Sequence, residues 1–278
     1  MDNKMDVPKL IHNVESILTD LSPAIDTIRD LQVAQLKSVL SLVAVSIVVR
    51  QYDSLEAMTH LVSKGRAYAC VGMLRPACEE LVWLKYLESI DVVKADQLLA
   101  LMAAREAHDA LTAQDSFAGS RVTTQLGLKG HLAEARKKYP ASKKALSEIG
   151  RDLGWPDRTT KNGDFPSMSF LAKRVSEKKM YEFLYHASSR FVHFSAAEVL
   201  RRAWYNRSGV ISVRSAHFSD YWGSFSLFWG LDLFLKTFAA APILMPEFEF
   251  PKDAIFRAAR VIGELGKVPI ITAEELAT

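Results

Sequence analysis

Cysteine is nearly missing: only two occur in 278 residues, Cys70 and Cys78, both in one stretch of helical character. Eight residues of helix would hold them about 12 Å apart, beyond the reach of a disulfide. They read as small buried apolar side chains of a reducing compartment. They assemble no four-ligand zinc pattern, and no metal or cofactor is expected. There is no glycine-rich phosphate loop, no dinucleotide fingerprint, no Gly-x-Ser-x-Gly and no His-Glu-x-x-His. No series of alternating apolar and polar residues announces a sheet, although Val210 to Val213 is β-branched and suits an extended segment.

Long apolar runs are scarce too. Leu40 to Val49 is bracketed by Lys37 and Arg50 and is too short to span a bilayer. Ser224 to Leu244 carries Asp232 and Lys236, spaced for an i,i+4 pair as in a helix packed within protein. Met1 to Asp6 lacks the basic and then apolar layout of a secretory leader. A cytoplasmic protein with no membrane contact is expected.

What is present is the pattern of helices. Nearly half the residues are hydrophobic and 24% are charged, as in an ordinary globular chain. The expected fold is all-α, a multi-helix bundle forming a single helical domain over residues 1–278. Ser22-Pro23 resembles a helix start. From there to Gly65 neither glycine nor proline occurs after Pro23, and Asp53 with Glu56 suggests a capping box that breaks this long stretch near Tyr52. A third helical region covers Arg66 to Ile90, with a kink or restart expected at Pro76. Asp91 can cap a fourth running to about Gln114. Residues 116–168 hold nine glycines and prolines and read as an irregular, loop-rich insertion of short helices. Further helices are expected over Glu177 to Trp204, Ser219 to Ala241 and Asp253 to Leu265.

Charge is uneven. The net charge is only +3, yet Ala135 to Lys179 holds 12 Lys/Arg against 5 Asp/Glu. Such a stretch either contacts phosphates or is a solvated lysine-rich surface.

Two helical blocks carry candidate chemistry. In the first, Arg75 and Glu79 are four residues apart and can pair. In the second, Tyr185, Ser189 and His193 climb one border of the expected Glu177 to Trp204 helix, with Tyr181, Leu184, Ser188, Val192 and Val199 on its core side. His186, Arg190, His193 and Arg201 gather on an adjoining flank. Two imidazoles beside a guanidinium can serve as base, acid and phosphate clamp, and RNA cleavage by its own 2′-hydroxyl needs no metal. The same residues also suit surface positions or a hydrogen-bonded helix border. Arg105 with His108 and Arg214 with His217 repeat the Arg-x-x-His spacing.

Arg75-x-x-x-Glu79 followed by Leu84-Lys85-Tyr86-Leu87, and later Tyr185-x-x-x-Ser189-x-x-x-His193, resemble the two blocks of a bacterial helical family, the domain of unknown function numbered 5677. The likeness covers roughly Val33 to Ala203, with Pro76 a departure from it. The resemblance implies an all-helical prokaryotic protein in which Arg75, Glu79, Tyr185 and His193 meet across two packed helices. Families of this kind are similar in outline to the HEPN helical ribonucleases, which often serve as toxins or anti-phage effectors. Those enzymes place an Arg four to six residues before a His, whereas only two residues separate Arg190 and His193 here. Three expectations follow. One is a defence or stress protein with a metal-independent ribonuclease site acting on RNA or another phosphate-bearing ligand. A second is a non-catalytic module that binds a partner protein or small ligand. The third is a homo-oligomer with an aromatic interface of Phe194, Phe218, Trp222 and Phe225.

Overall fold

A computed structural model describes residues 6–30, 37–162, 165–205, 209–213, 218–241, 251–266 and 268. The helices are α1 (Val7–Arg29), α2 (Val39–Ser63), a 3-10 segment (Ala67–Met73), α3 (Leu74–Glu88), α4 (Val92–Gln125), α5 (Lys129–Asp152), α6 (Asp157–Asn162), α7 (Met168–Arg174), α8 (Lys178–Val192), α9 (Ala196–Leu200), α10 (Ser219–Ala239) and α11 (Lys252–Leu265). One small antiparallel hairpin, β1 (Ala203–Tyr205) with β2 (Ile211–Val213), lies between α9 and α10. The protein is all-α.

Helix α10 is the axis of the core. It is apolar around nearly its whole circumference, as a helix surrounded by protein must be, and Trp222, Phe225, Leu231 and Phe234 are fully enclosed. Helices α1, α2, α3, α11 and the 3-10 segment pack around it. Small residues set the closest approaches: a Cβ on Gly223 would stand 2.8 Å from Val62, and one on Gly230 would stand 2.8 Å from Met58. The expected Asp232–Lys236 pair forms at 2.5 Å. Among the described residues no helix is long and apolar enough to cross a membrane.

Several expected boundaries move, for one shared reason. Helix α1 begins at Val7, capped by Asp6, and runs through Pro23. The buried stripe Val14, Ile17, Leu21, Ile25 and Ile28 continues across the proline. Pro23 itself is exposed, as is Thr19, whose carbonyl loses its helical donor. Helix α2 likewise passes Tyr52 unbroken; Asp53 pairs with Arg29 instead of capping.

The irregular insertion expected over 116–168 is corrected most. It holds the end of α4, which kinks at Gly119 (φ 81°) as the glycine there suggests, all of α5 and the short α6. Pro140 lies inside α5 on its exposed side, while Leu132, Leu146 and Ile149 on the other side are buried. Two glycines there are helix stops: Gly127 and Gly154 take positive φ just past the ends of α4 and α5. There Leu128 N–H returns to Thr123 and Trp155 N–H to Gly150. Half of the basic residues of that stretch, six of twelve, thus lie on α5 of an α4–α5 hairpin. Arg136, Lys137, Lys138, Lys143 and Lys144 are exposed, and several pair with nearby carboxylates.

Candidate functional site

The site begins with a proline. Pro76 has no N–H to give, which costs a helix least in its first turn, where that N–H has no helical partner. The 3-10 segment hands over to α3 at Leu74, so Pro76 is the third residue of the new helix. Arg75 is thereby set at the N-terminal end of α3, facing α8, which packs against both α3 and the 3-10 segment.

Arg75 makes three contacts there. Its Nε donates to Glu79 Oε1 at 3.0 Å. Its guanidinium lies over the Tyr185 ring, 4.8 Å from the centroid, a distance at which the ring face attracts a cation. Its Nη1 stands 3.1 Å from His193 Nε2. A guanidinium only donates, so His193 Nε2 accepts and carries the lone pair. The hydrogen bond that Arg75 donates to Glu79 raises its pKa, with burial opposing. The ion pair is half-buried, with side-chain exposures of 26% and 31%, so it remains open to solvent and ligand. Behind it, burial and then the Glu79 charge push the Tyr181 phenol up to about 12.

Arg75, Glu79, Tyr185 and His193 therefore meet, although His193 does so in an unexpected way. Helix α8 ends at Val192, and His193 is its C-cap, with extended backbone (φ −109°, ψ 159°) and its N–H on Ser189 O at 2.9 Å. The continuous Glu177 to Trp204 helix is thus corrected to α8, a bend, α9 and β1. Of its expected core side, Tyr181, Leu184 and Ser188 are buried, but Val192 and Val199 are half exposed. Leaving the helix is what turns His193 back onto Arg75.

The flank of His186, Arg190, His193 and Arg201 does not form as one set. Tyr185 and His186 project about 100° apart on the helix, so one faces α3 and the other does not. His186 Nε2 instead accepts from Arg190 Nη2 at 2.6 Å, making a second Arg–His pair. Arg190 also approaches Glu198 at 3.7 Å, and Arg201 pairs with the same carboxylate at 2.9 Å. Glu198 is 1% exposed, and a carboxylate that deep is held there by its two arginines.

Glu198 was not anticipated, yet Ser195-Ala-Ala-Glu198 is a capping-box pattern that marks a helix start. Ser195 Oγ accepts from Glu198 N at 3.4 Å. Glu80, beside Glu79, turns the other way: it is buried against Gln51 and pairs with Arg50 of α2. His108 stacks on Tyr139 at 4.0 Å, away from this site on the α4–α5 hairpin. Arg214 and His217 lie outside the described residues. Among the described residues no group of three His, Cys, Asp or Glu side chains is placed to hold a metal ion.

The proposed aromatic interface is corrected for two members. Trp222 and Phe225 are 2% and 0% exposed and belong to the core. Phe194 is 89% exposed, next to His193.

The sequence model of one protein family, described as a family of unknown function (DUF5677), matches residues 41–208. That span runs from α2 past β1 and includes both halves of the site. No curated protein and no solved structure matches the chain.

Proposed function

We propose, for a chain that belongs to the family of unknown function DUF5677, a metal-independent site that cleaves RNA phosphodiesters. The observation that carries the reading is the Arg75–His193 contact, an acceptor imidazole nitrogen 3.1 Å from a guanidinium that Glu79 holds in place. His193 Nε2 takes the proton of a 2′-hydroxyl, and the 2′-oxygen attacks the adjacent phosphorus. Arg75, released toward the phosphate, stabilises the charge that builds on its oxygens. The P–O5′ bond breaks, the 5′-oxygen takes a proton from solvent, and His193 passes the proton it took to solvent. Glu79 acts as a positioning residue, and Tyr185 supplies the ring on which Arg75 rests. The second Arg–His pair, Arg190 with His186, adds positive charge along the same helix for a neighbouring phosphate. An RNA-cleaving activity of this kind suits a bacterial defence or stress effector.

One observation favours a second reading. Arg75 already has Glu79, Tyr185 and His193 around it, an arrangement that would equally lock α3 to α8 in a non-catalytic binding module. The two readings part in one experiment. Purified protein is incubated with single-stranded RNA and tRNA in EDTA, beside His193→Ala and Arg75→Lys, and the melting temperatures of all three are recorded. Cleavage to 2′,3′-cyclic phosphate and 5′-hydroxyl ends, lost in His193→Ala with an unchanged melting temperature, is the expected result. A folded wild type that cleaves nothing, with variants that are merely less stable, replaces the nuclease with the lock.

A further inference from the structure

A second site is suggested by a cleft that the RNA-cleaving proposal does not use. It lies between the N-terminal end of α8, the middle of α10 and the end of α11, with a volume of about 930 Å³, near the top of the range for sites that enclose a small organic molecule. Its floor is aromatic and aliphatic. Phe183 lies 5.3 Å from Trp229, ring centroid to centroid, and Phe228 meets the same indole edge-on at 5.0 Å. Met180, Ile262 and Val268 complete the apolar lining.

The mouth is positive. Lys178, Lys179 and Lys236 line it, against Glu177 and Asp232. Both carboxylates are already matched, Glu177 by Lys85 from α3 and Asp232 by Lys236 at 2.5 Å. Lys178 reaches Glu182 at 3.4 Å. Among the described residues Lys179 has no carboxylate within ion-pair distance. The mouth also opens at the start of α8, which no side chain caps, so the positive end of the helix dipole adds to the lysines. An apolar floor rules out a small inorganic anion as the occupant that fits, because it would leave the aromatic surface wet. A cationic amphiphile would meet like charge.

We propose that this cleft binds an amphipathic carboxylate, with its acyl or aryl body against Phe183, Phe228 and Trp229 and its head group at Lys179. The body removes apolar surface from water, and the head finds an ammonium that has no carboxylate partner among the described residues.

Isothermal titration of the full chain with dodecanoate, below its micelle concentration, tests this. Dodecyltrimethylammonium serves as a control with the same tail and the opposite charge. Two variants complete the set. Lys179→Glu changes an exposed residue. Gly263→Phe fills the cleft from α11, at a position where an added Cβ meets nothing within 4 Å. Dodecanoate should bind one per chain, with the cation and Lys179→Glu each at least about tenfold weaker, and Gly263→Phe should bind none, all with unchanged circular dichroism. No binding of dodecanoate, equal binding of the cation, or parental affinity in either variant would overturn the assignment.

Discussion

Arg75 shows how much one side chain depends on its neighbours in the fold. Its partner Glu79 is local, and the i,i+4 spacing is visible in the sequence. Tyr185 and His193 are more than a hundred residues away, and only the packing of α8 on α3 brings them in. At the same scale, the two thiols give a prediction about pH. Burial pushes Cys70 and Cys78 from 9.0 up to about 12. In the unfolded chain they ionise near the lower value, so folding keeps protons that unfolding releases. Stability is therefore full below about pH 9 and falls as pH rises toward 12. Thermal melts between pH 7 and 10.5 should show this decline, shallower in the Cys70→Ala/Cys78→Ala double variant. Native protein at pH 8 should resist thiol alkylation until denaturant is added.

At the scale of elements, burial along a whole helix face outweighs local breakers. By local chemistry prolines 23 and 140 suit helix starts or breaks, yet both lie within helices on the exposed side. A missing N–H costs little there, because the abandoned carbonyl can turn to water. The buried stripe, repeating every three to four residues, outweighs the local penalty. In the opposite sense, His193 and Phe194 carry no glycine or proline, yet α8 stops there. Phe191, Val192, His193 and Phe194 are all weak helix formers; the Ser195 cap then starts α9 in a new direction.

Tight packing at a helix end gives another expected outcome. A Cβ on Gly150 would lie 2.5 Å from the Trp155 ring, which is buried and donates to Tyr86 Oη at 2.7 Å. Gly150→Ala raises helix propensity, and on an open helix it would stabilise by about 1 kcal/mol. Here the indole cannot withdraw without losing its hydrogen bond. The substitution should therefore destabilise by about 1–3 kcal/mol, read from the midpoint of urea unfolding. A stabilised variant would show that Trp155 has room to move.

The whole molecule is organised by α10 and by what surrounds it. Its aromatic face, Trp222, Phe225 and Trp229, continues through Phe183 and Phe191 of α8. The same ring cluster thus supports the helix that carries Tyr185 and His193. Trp222→Ala should cost about 3–5 kcal/mol of stability and leave the molar mass from light scattering unchanged. A change of mass with little loss of stability would restore Trp222 to an interface between copies.

The sequence by itself determined the helical class, because 3.6-residue periodicity and the lack of alternating strands are local properties. It also determined which residues pair at i,i+4, namely Arg75 with Glu79 and Asp232 with Lys236, and the cap at Asp91 follows equally from short-range chemistry. Tertiary structure decided the rest. It kept Pro23 and Pro140 inside helices, since burial of the opposite face is a sum over contacts that no local window contains. It ended α8 at Val192, returning His193 to Arg75 and separating it from the His186–Arg190 pair. It sank Glu198 between two arginines and sent Glu79 and Glu80 to opposite sides of α3. Each of these depends on which surface faces another helix and which faces water.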